Sequence, residues 1–195
     1  PNTIYIATGD DDGGDTYSVG VLKSIDGGAT WQMTGLNFAT IQSRKISRVL
    51  VNPNDPNIVF AGTTAGIYRS TNAGLTWMKV HNANPVKDME FKPGDPSVVY
   101  VTTSKSFYRS TNSGATFTIV STTNGLPAAS NVGRLAIAVT PADPNYVYLI
   151  ATEVNSNGFY GFYRSTNQGQ TFMQQANFPN LMGWDTDGMD SGGQG

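Results

Sequence analysis

The sequence predicts an all-β protein built from about four repeated, four-stranded antiparallel sheets. Three observations lead to this prediction: an octapeptide that occurs four times, apolar strand-like runs between its copies, and many residues that form tight turns. Charged residues make up only 13% of the chain, whereas 22 glycines and 10 prolines interrupt it. A motif that recurs at one place in every structural unit indicates a repeat architecture whatever the length of the chain.

The octapeptide has the pattern Ser-x-Asp/Asn-x-Gly-x-Thr-Trp/Phe, and its copies start about 40–55 residues apart. Repeats of about 40–50 residues with four strands each are typical of propeller blades. We therefore predict a single β-propeller segment over residues 1–195, with blades at about 1–36, 43–81, 86–122 and 132–177. Residues 178–195 are expected to start a further blade or to form a loop, so that the chain is a fragment of a longer ring.

One repeat shows the strand order that we expect in every blade. In the repeat at residues 45–80, Ile46, Val49 and Val51 predict a first strand that ends at Pro53, and residues 54–57 are expected to form a turn. The second and third strands are predicted at residues 58–63 and 66–70. The octapeptide then makes a hairpin turn, and the fourth strand follows over residues 76–80. The second strand is apolar throughout, which predicts burial on both of its faces.

The octapeptide side chains fit a structural role in a turn better than a catalytic role. The Asp or Asn can accept backbone N–H groups, the Gly allows a positive φ, the Thr can bond across the hairpin, and the aromatic ring can pack over it. The first copy carries Asp26 and the other three carry Asn, a change that a catalytic carboxylate does not tolerate. We therefore assign structural roles to Ser24, Asp26, Gly28, Thr30, Trp31, Ser70, Asn72, Gly74, Thr76, Trp77, Ser110, Asn112, Gly114, Thr116, Phe117, Ser165, Asn167, Gly169, Thr171 and Phe172.

The octapeptide resembles the Asp box, also called the bacterial neuraminidase repeat. Sialidases, xyloglucan-cleaving glycoside hydrolases, sortilin/VPS10-like receptors and photosystem II stability factors carry this box, and the resemblance implies a β-propeller with structural hairpins at the blade periphery. Residues 7–21 and 180–195 are also similar to large sortilin-like propellers that Bacteroidetes secrete. Such proteins often carry adhesion-type modules and a sorting domain for type IX secretion, so the resemblance implies a secreted or cell-surface protein.

Two glycine-rich loops hold half of the acidic residues, and three interpretations of them stay open. The residues are Asp10, Asp11, Asp12 and Asp15 in the first loop and Asp185, Asp187 and Asp190 in the second. All seven are candidate ligands for Ca²⁺, which takes oxygen ligands from flexible loops. Asp10 and Asp12 are also candidate catalytic residues, because glycoside hydrolysis uses two carboxylates at a controlled separation. In the third interpretation the loops are solvated Asx turns, and no cofactor is required.

Composition argues against several function classes. The net charge is −2 and no run of Lys or Arg stands out, so nucleic-acid binding is not expected. No stretch approaches the roughly 20 apolar residues of a membrane helix, so membrane insertion is not expected. The absence of cysteine excludes thiolate metal sites and cysteine catalysis. The single histidine, His81, follows a predicted strand and is expected to be a solvated loop residue.

Two further groups of side chains have a functional and a structural interpretation. Arg69, Arg109 and Arg164 precede the box serine, as Lys23 does in the first copy. Sialidases clamp a carboxylate with three arginines, but residues at one repeat position lie on different blades, so we expect structural or surface cations. Four aromatic residues near the long loops can stack on sugar rings, contact a protein or cover the blade ends: Tyr17, Phe159, Tyr160 and Trp184.

These patterns predict a non-catalytic, secreted or cell-surface propeller module for binding, adhesion or display. Its expected partners are a glycan, another protein or neighbouring blades of the same parent protein. The alternative is part of a glycoside hydrolase propeller of the xyloglucanase or sialidase type. A further alternative is a purely structural assembly repeat.

Overall fold

A computed structural model describes residues 2–10, 16–190 and 192–193 of the chain. The described strands form four antiparallel sheets, and single turns of 3₁₀ helix occur at Thr40–Gln42 and Thr122–Asn124. This architecture confirms the predicted all-β fold of propeller blades. The chain divides into two compact units, Pro1–Val86 and Lys87–Gly195, and each is described by itself.

The first unit contains two sheets, which we call blade 1 and blade 2. Blade 1 has three strands in sequential order: β1 (Ile4–Ala7), β2 (Gly20–Ser24) and β3 (Gln32–Asn37). Blade 2 has four: β4 (Ile46–Val51), β5 (Val59–Thr63), β6 (Gly66–Ser70) and β7 (Met78–His81). Every residue of β5 is buried. The core of the unit joins Val21, Leu36, Ile46 and Ala61 from both blades.

The second unit contains blade 3 and blade 4, again in sequential strand order. Blade 3 comprises β8 (Val86–Lys92), β9 (Asp95–Thr103), β10 (Phe107–Ser110) and β11 (Thr118–Val120), its first residue being the last of the first unit. Blade 4 comprises β12 (Val132–Val139), β13 (Val147–Glu153), β14 (Phe159–Ser165) and β15 (Met173–Ala176). The core between these two blades includes Tyr100, Phe107, Leu149 and Phe172.

The Asp box forms the same hydrogen-bonded turn in each blade. In blade 2, Ser70 Oγ donates to Asn72 Oδ1 at 3.0 Å and accepts the Gly74 N–H at 2.9 Å. The Thr76 N–H donates to Asn72 Oδ1 at 2.8 Å, and Trp77 Nε1 donates to the Gly74 carbonyl at 3.0 Å. The serine, Asx and threonine bonds recur in the other three boxes. Each box is therefore a closed turn that uses its polar side chains internally.

The fourth strand begins later than the sequence predicts. In blade 2 the prediction starts at Thr76, whereas β7 starts at Met78, because Thr76 and Trp77 still belong to the turn. The fourth residue of the box also has a positive φ, 53° at Ala73, which the sequence pattern did not indicate. This conformation points the Ala73 N–H at the Asn57 carbonyl, 2.9 Å away in the turn before β5.

The two ends of each blade carry different loops, because successive strands run antiparallel. The box lies at the same end as the turn between the first and second strands, and we call this the box end. The opposite end, the loop end, carries the loop between the second and third strands and the connection to the next blade. In blade 4 the loop end holds residues 154–158 and the segment 177–190 that follows β15.

Candidate functional site

A cavity of about 580 Å³ opens at the loop end of blade 4. It lies between the loop that joins β13 to β14 and the segment 177–190, and Glu153, Phe159, Phe178, Asn180 and Asp190 contribute to its lining. Phe178 is 62% exposed, which leaves an aromatic ring at the cavity. A concave site with an aromatic wall and a few polar groups is the usual form of a small-ligand site.

Asn180 holds the two walls of the cavity together. Its Oδ1 accepts the N–H groups of Phe159 at 2.9 Å and Met182 at 3.1 Å. Its Nδ2 donates to the carbonyls of Asp190 at 2.8 Å and Gly192 at 2.7 Å. One side chain thus uses both amide donors and both acceptor positions of its oxygen. The sequence pattern does not single out this residue, because an asparagine in a loop resembles any other turn residue.

Glu153 is a carboxylate of the cavity that the sequence pattern does not single out either. Its Oε2 accepts the Ser156 N–H at 2.7 Å and the Asn155 N–H at 2.8 Å. These backbone donors, Ser156 first, hold the pKa of Glu153 below its ordinary value. Glu153 is therefore an anion at neutral pH, which suits it to accept hydrogen bonds from hydroxyl groups and not to donate a proton.

Asp190 is the one acidic residue of the second predicted loop that lines the cavity in the described part of the chain. Its Oδ2 accepts the Trp184 N–H at 2.7 Å, whereas its Oδ1 is buried and accepts no hydrogen bond from the described residues. Asp187 Oδ1 accepts the Met189 N–H at 3.0 Å. The carboxylates of Asp187 and Asp190 thus support the backbone of their own loop.

The metal hypothesis stays a prediction. Among residues 2–10, 16–190 and 192–193, no group of three or more His, Asp or Glu side chains is placed to hold a metal ion. Asp11, Asp12 and Asp15 lie outside the described residues, so the first acidic loop is described only at Asp10. The Asp10 N–H donates to the Thr16 carbonyl at 2.9 Å, at the loop end of blade 1.

The basic residues before the boxes contact neighbouring blades in two of the four copies. Lys23 Nζ donates to the Ala73 carbonyl at 2.9 Å, and Arg109 Nε donates to the Gln168 carbonyl at 2.7 Å. Arg69 lies 5.9 Å from the centre of the Phe60 ring, and its buried Nε has no hydrogen-bond partner among the described residues. Arg164 lies 5.5 Å from the centre of the Tyr146 ring.

The four aromatic candidates and His81 lie at different places in the structure. Tyr17 in blade 1 and Trp184 in the second unit are exposed, whereas Phe159 and Tyr160 are half-buried. The Tyr160 hydroxyl accepts a hydrogen bond from Asn131 Nδ2 at 3.1 Å. His81 Nδ1 accepts the Ala83 N–H at 2.9 Å, so it serves the turn after β7.

Blades of sequential antiparallel strands, each closed by an Asp box, define this chain as a segment of an Asp-box β-propeller. The family model of Sortilin-Vps10, described as "Sortilin, neurotensin receptor 3", matches residues 65–192. The chain belongs to this family, which confirms the relation to sortilin-like propellers inferred from the sequence.

Two curated relatives are xyloglucanases. The chain is 37% identical over 89 residues to a xyloglucanase of Acetivibrio thermocellus, which covers 42% of this chain and 11% of that enzyme. It is 36% identical over 87 residues to a xyloglucanase of a Paenibacillus species, which covers 41% of this chain and 8% of that enzyme. The chain thus matches about a tenth of the length of these relatives.

Solved structures of glycoside hydrolases have the same fold. An ancestral GH74 enzyme superposes with a TM-score of 0.66 at 23% identity, over 88% of this chain and 24% of that chain. The GH74 enzyme of Niastella koreensis superposes with a TM-score of 0.61 at 24% identity, over 91% of this chain and 29% of that chain. No helix in the described part of the chain has the length and apolar character to cross a membrane.

Proposed function

We propose that this chain is a propeller segment of a secreted glycan-cleaving protein of the xyloglucanase type, and that the cavity of blade 4 contacts the glycan. The observation that carries this proposal is the 37% identity to a xyloglucanase over 89 residues. It favours the glycoside hydrolase alternative over the non-catalytic module that the sequence patterns alone predict.

The chemistry of the cavity supports contact with an uncharged polysaccharide. Phe178 offers a ring face on which a sugar can stack, and the Glu153 carboxylate can accept hydrogen bonds from sugar hydroxyls. Cleavage needs a protonated carboxyl group as general acid, a role that does not fit the lowered pKa of Glu153. We therefore assign binding to this cavity and place the cleaving carboxylates elsewhere, with Asp10 as the candidate in the described residues.

A second candidate function is glycan or protein binding without cleavage, in a cell-surface or secreted display module. Two observations favour it. The Sortilin-Vps10 match covers residues 65–192, and the carboxylates of the cavity already accept hydrogen bonds from their own loops. In this case the cavity binds the same ligand, but bond cleavage does not follow.

Binding is tested by electrophoresis of the purified chain through gels that contain xyloglucan, unsubstituted β-1,4-glucan or no polysaccharide. We expect retardation by xyloglucan and a dissociation constant about three to ten times higher in Phe178→Ala, because one stacking contact is lost. Met173→Ala is the matched control, since Met173 is similarly exposed but lies on β15, away from the cavity lining. Unretarded migration in xyloglucan contradicts the proposal.

Cleavage is tested by the release of reducing ends from xyloglucan. Release that is lost in Asp10→Asn, with gel retardation unchanged, supports the glycoside hydrolase assignment. Retardation without any release of reducing ends from the native chain contradicts cleavage by this chain and supports the second candidate.

A further inference from the structure

A second cavity, of about 120 Å³, opens at the loop end of the second unit. It lies between the loop that joins β9 to β10 and the connection from blade 3 to blade 4, residues 121–131, and we call it the interblade cavity. Blades 3 and 4 share one hydrophobic core, so both walls of the cavity come from blades that already pack against each other. In the described part of the chain, it shares no lining residue with the cavity of blade 4.

The interblade cavity has an apolar floor and a polar rim. Phe107, Leu126 and Leu135 line it and are at most 8% exposed, so they form the floor. Lys105 and Thr122 line it and are exposed, so they form part of the rim. Among the described residues, none pairs with the Lys105 ammonium group, which keeps its hydrogen-bond donors available for a ligand.

The volume of the interblade cavity fits a substituent of a ligand and not a whole ligand. Pockets that enclose a small molecule have volumes of about 300–1,000 Å³. One water molecule takes about 30 Å³ of liquid, so a cavity of about 120 Å³ holds roughly four non-hydrogen atoms. This is too few for a sugar ring, but it matches an acetyl ester.

The lining of the interblade cavity selects the chemistry of that substituent. A carboxylate or phosphate on the apolar floor would lose its hydration without gaining hydrogen bonds, so a charged group is disfavoured. A methyl group gains free energy by burial against Phe107, Leu126 and Leu135. A carbonyl oxygen at the rim can accept a hydrogen bond from the Lys105 ammonium group. An O-acetyl group supplies both the methyl group and the carbonyl oxygen.

The connection that lines the interblade cavity is bonded to the loop that lines the cavity of blade 4. The last residue of the connection, Asn131, accepts the Val154 N–H at its carbonyl, 3.1 Å away. Asn131 Nδ2 also donates to the Tyr160 hydroxyl at 3.1 Å. Val154 follows Glu153, which lines the cavity of blade 4. These bonds join the walls of the two cavities at the loop end of the unit, so one polysaccharide chain can contact both.

We propose that the interblade cavity binds an O-acetyl group of the glycan. The methyl group packs on the apolar floor, and Lys105 donates a hydrogen bond to the carbonyl oxygen of the ester. This inference rests on the proposed glycan binding by the chain, to which it adds a preference for acetylated polysaccharide. It gives the interblade cavity a role in specificity and no step in cleavage.

Gel electrophoresis with two forms of one polysaccharide tests the preference: O-acetylated xyloglucan, and the same material after mild alkali has removed its acetyl groups. We expect the native chain to bind the acetylated form about three to ten times more tightly, the effect of burying a methyl group and gaining one hydrogen bond. Equal retardation by the two forms overturns acetyl binding and leaves glycan binding intact. Retardation by neither form contradicts glycan binding itself, and the preference with it.

Two neighbouring exposed alanines provide a matched pair of variants, since Ala129 lines the interblade cavity and Ala128 does not. We expect Ala129→Leu to fill the cavity and to bind both forms as the native chain binds the deacetylated form, whereas Ala128→Leu keeps the native preference. Lys105→Ala is expected to weaken binding of the acetylated form about threefold and to leave binding of the other form unchanged. A preference that survives in both Ala129→Leu and Lys105→Ala overturns the proposal.

Discussion

At the scale of single residues, the Asp box tolerates Asp or Asn because one bond reverses its direction. In the first box the Thr30 hydroxyl donates to Asp26 Oδ2 at 2.6 Å. In the second box Asn72 Nδ2 donates to the Thr76 hydroxyl at 2.8 Å. A hydroxyl can donate or accept, so threonine satisfies either side chain. The box is thus a structural turn in which the charge of Asp26 is optional.

The charge of Asp26 nevertheless makes stability depend on pH. Hydrogen bonds from the Thr30 hydroxyl, the Thr30 N–H and the Ser24 hydroxyl lower the pKa of Asp26 below its ordinary value of 3.8. A carboxylate with a lowered pKa stabilises the folded state above its unfolded pKa, and this contribution is lost as the pH falls toward the folded pKa. We expect the difference in Tm between the native chain and Asp26→Asn to be constant from pH 5 to 7.

Below about pH 4 the native chain should lose stability relative to Asp26→Asn, because the amide of the variant does not titrate. Circular dichroism melts at pH values from 2 to 7 measure this difference. Two melting curves that shift in parallel over the whole range would show that Asp26 is not held as a stabilised carboxylate.

The box serine is a buried side chain whose hydroxyl group holds the turn through hydrogen bonds. Ser70 is 1% exposed and accepts the N–H groups of Asn72 and Gly74. Ser70→Ala leaves these donors without a partner, so we expect a loss of about 1–3 kcal/mol in the free energy of unfolding. Urea denaturation measures the loss, with the exposed Thr71→Ala as the control. Equal midpoints for the two variants would contradict the role of Ser70.

At the scale of the elements, the contact between neighbouring blades depends on the absence of a side chain at the fifth position of the box. The sequence pattern places a glycine at the fifth position and explains it by a positive φ, which is 75° at Gly169. The structure adds a second reason, which is the close approach of Phe107 and Tyr100 from the preceding blade. Periodicity within one repeat cannot supply this reason, because the contact joins residues of two repeats.

Two glycine substitutions separate the effect of the positive φ from the effect of close packing against the preceding blade. Gly169→Ala and Gly94→Ala impose the same backbone strain, since their φ angles are 75° and 76°, but a Cβ at Gly94 meets no atom within 4 Å. We expect Gly94→Ala to cost about 1–2 kcal/mol and Gly169→Ala to cost about 1–3 kcal/mol more, from overpacking. Urea denaturation of both variants checks the difference, and equal losses would mean that only φ constrains Gly169.

At the scale of the whole molecule, the candidate catalytic and Ca²⁺-binding aspartates lie in two acidic loops, which are not part of the repeated pattern. The second acidic loop is an ordered segment in which Asn180 and Asp190 bind backbone groups. The first acidic loop is described only at Asp10 among its four aspartates. Ca²⁺ binding by these loops therefore remains a prediction about the intact protein.

A thermal shift assay tests this prediction. If Asp185 and Asp187 contribute oxygen ligands, millimolar Ca²⁺ will raise the Tm of the chain, because an ion that binds only the folded state stabilises it by mass action. The double variant Asp185→Asn/Asp187→Asn should lose the shift, and Mg²⁺ at the same concentration controls for ionic strength. An unchanged Tm of the native chain in millimolar Ca²⁺ would exclude stabilisation by this ion.

The repeat, and with it the blades and the box turns, can be predicted from the amino-acid sequence alone. A local pattern suffices for these, because a turn is made by residues within eight positions of one another and a meander pairs strands that follow each other. Which side chains meet across repeats is visible only in the folded chain. Asn180 and Glu153 at one cavity, and Arg109 on the Gln168 carbonyl, depend on packing between distant segments. No spacing rule predicts such contacts, so the candidate glycan site and the contacts between successive blades emerged only from the folded chain.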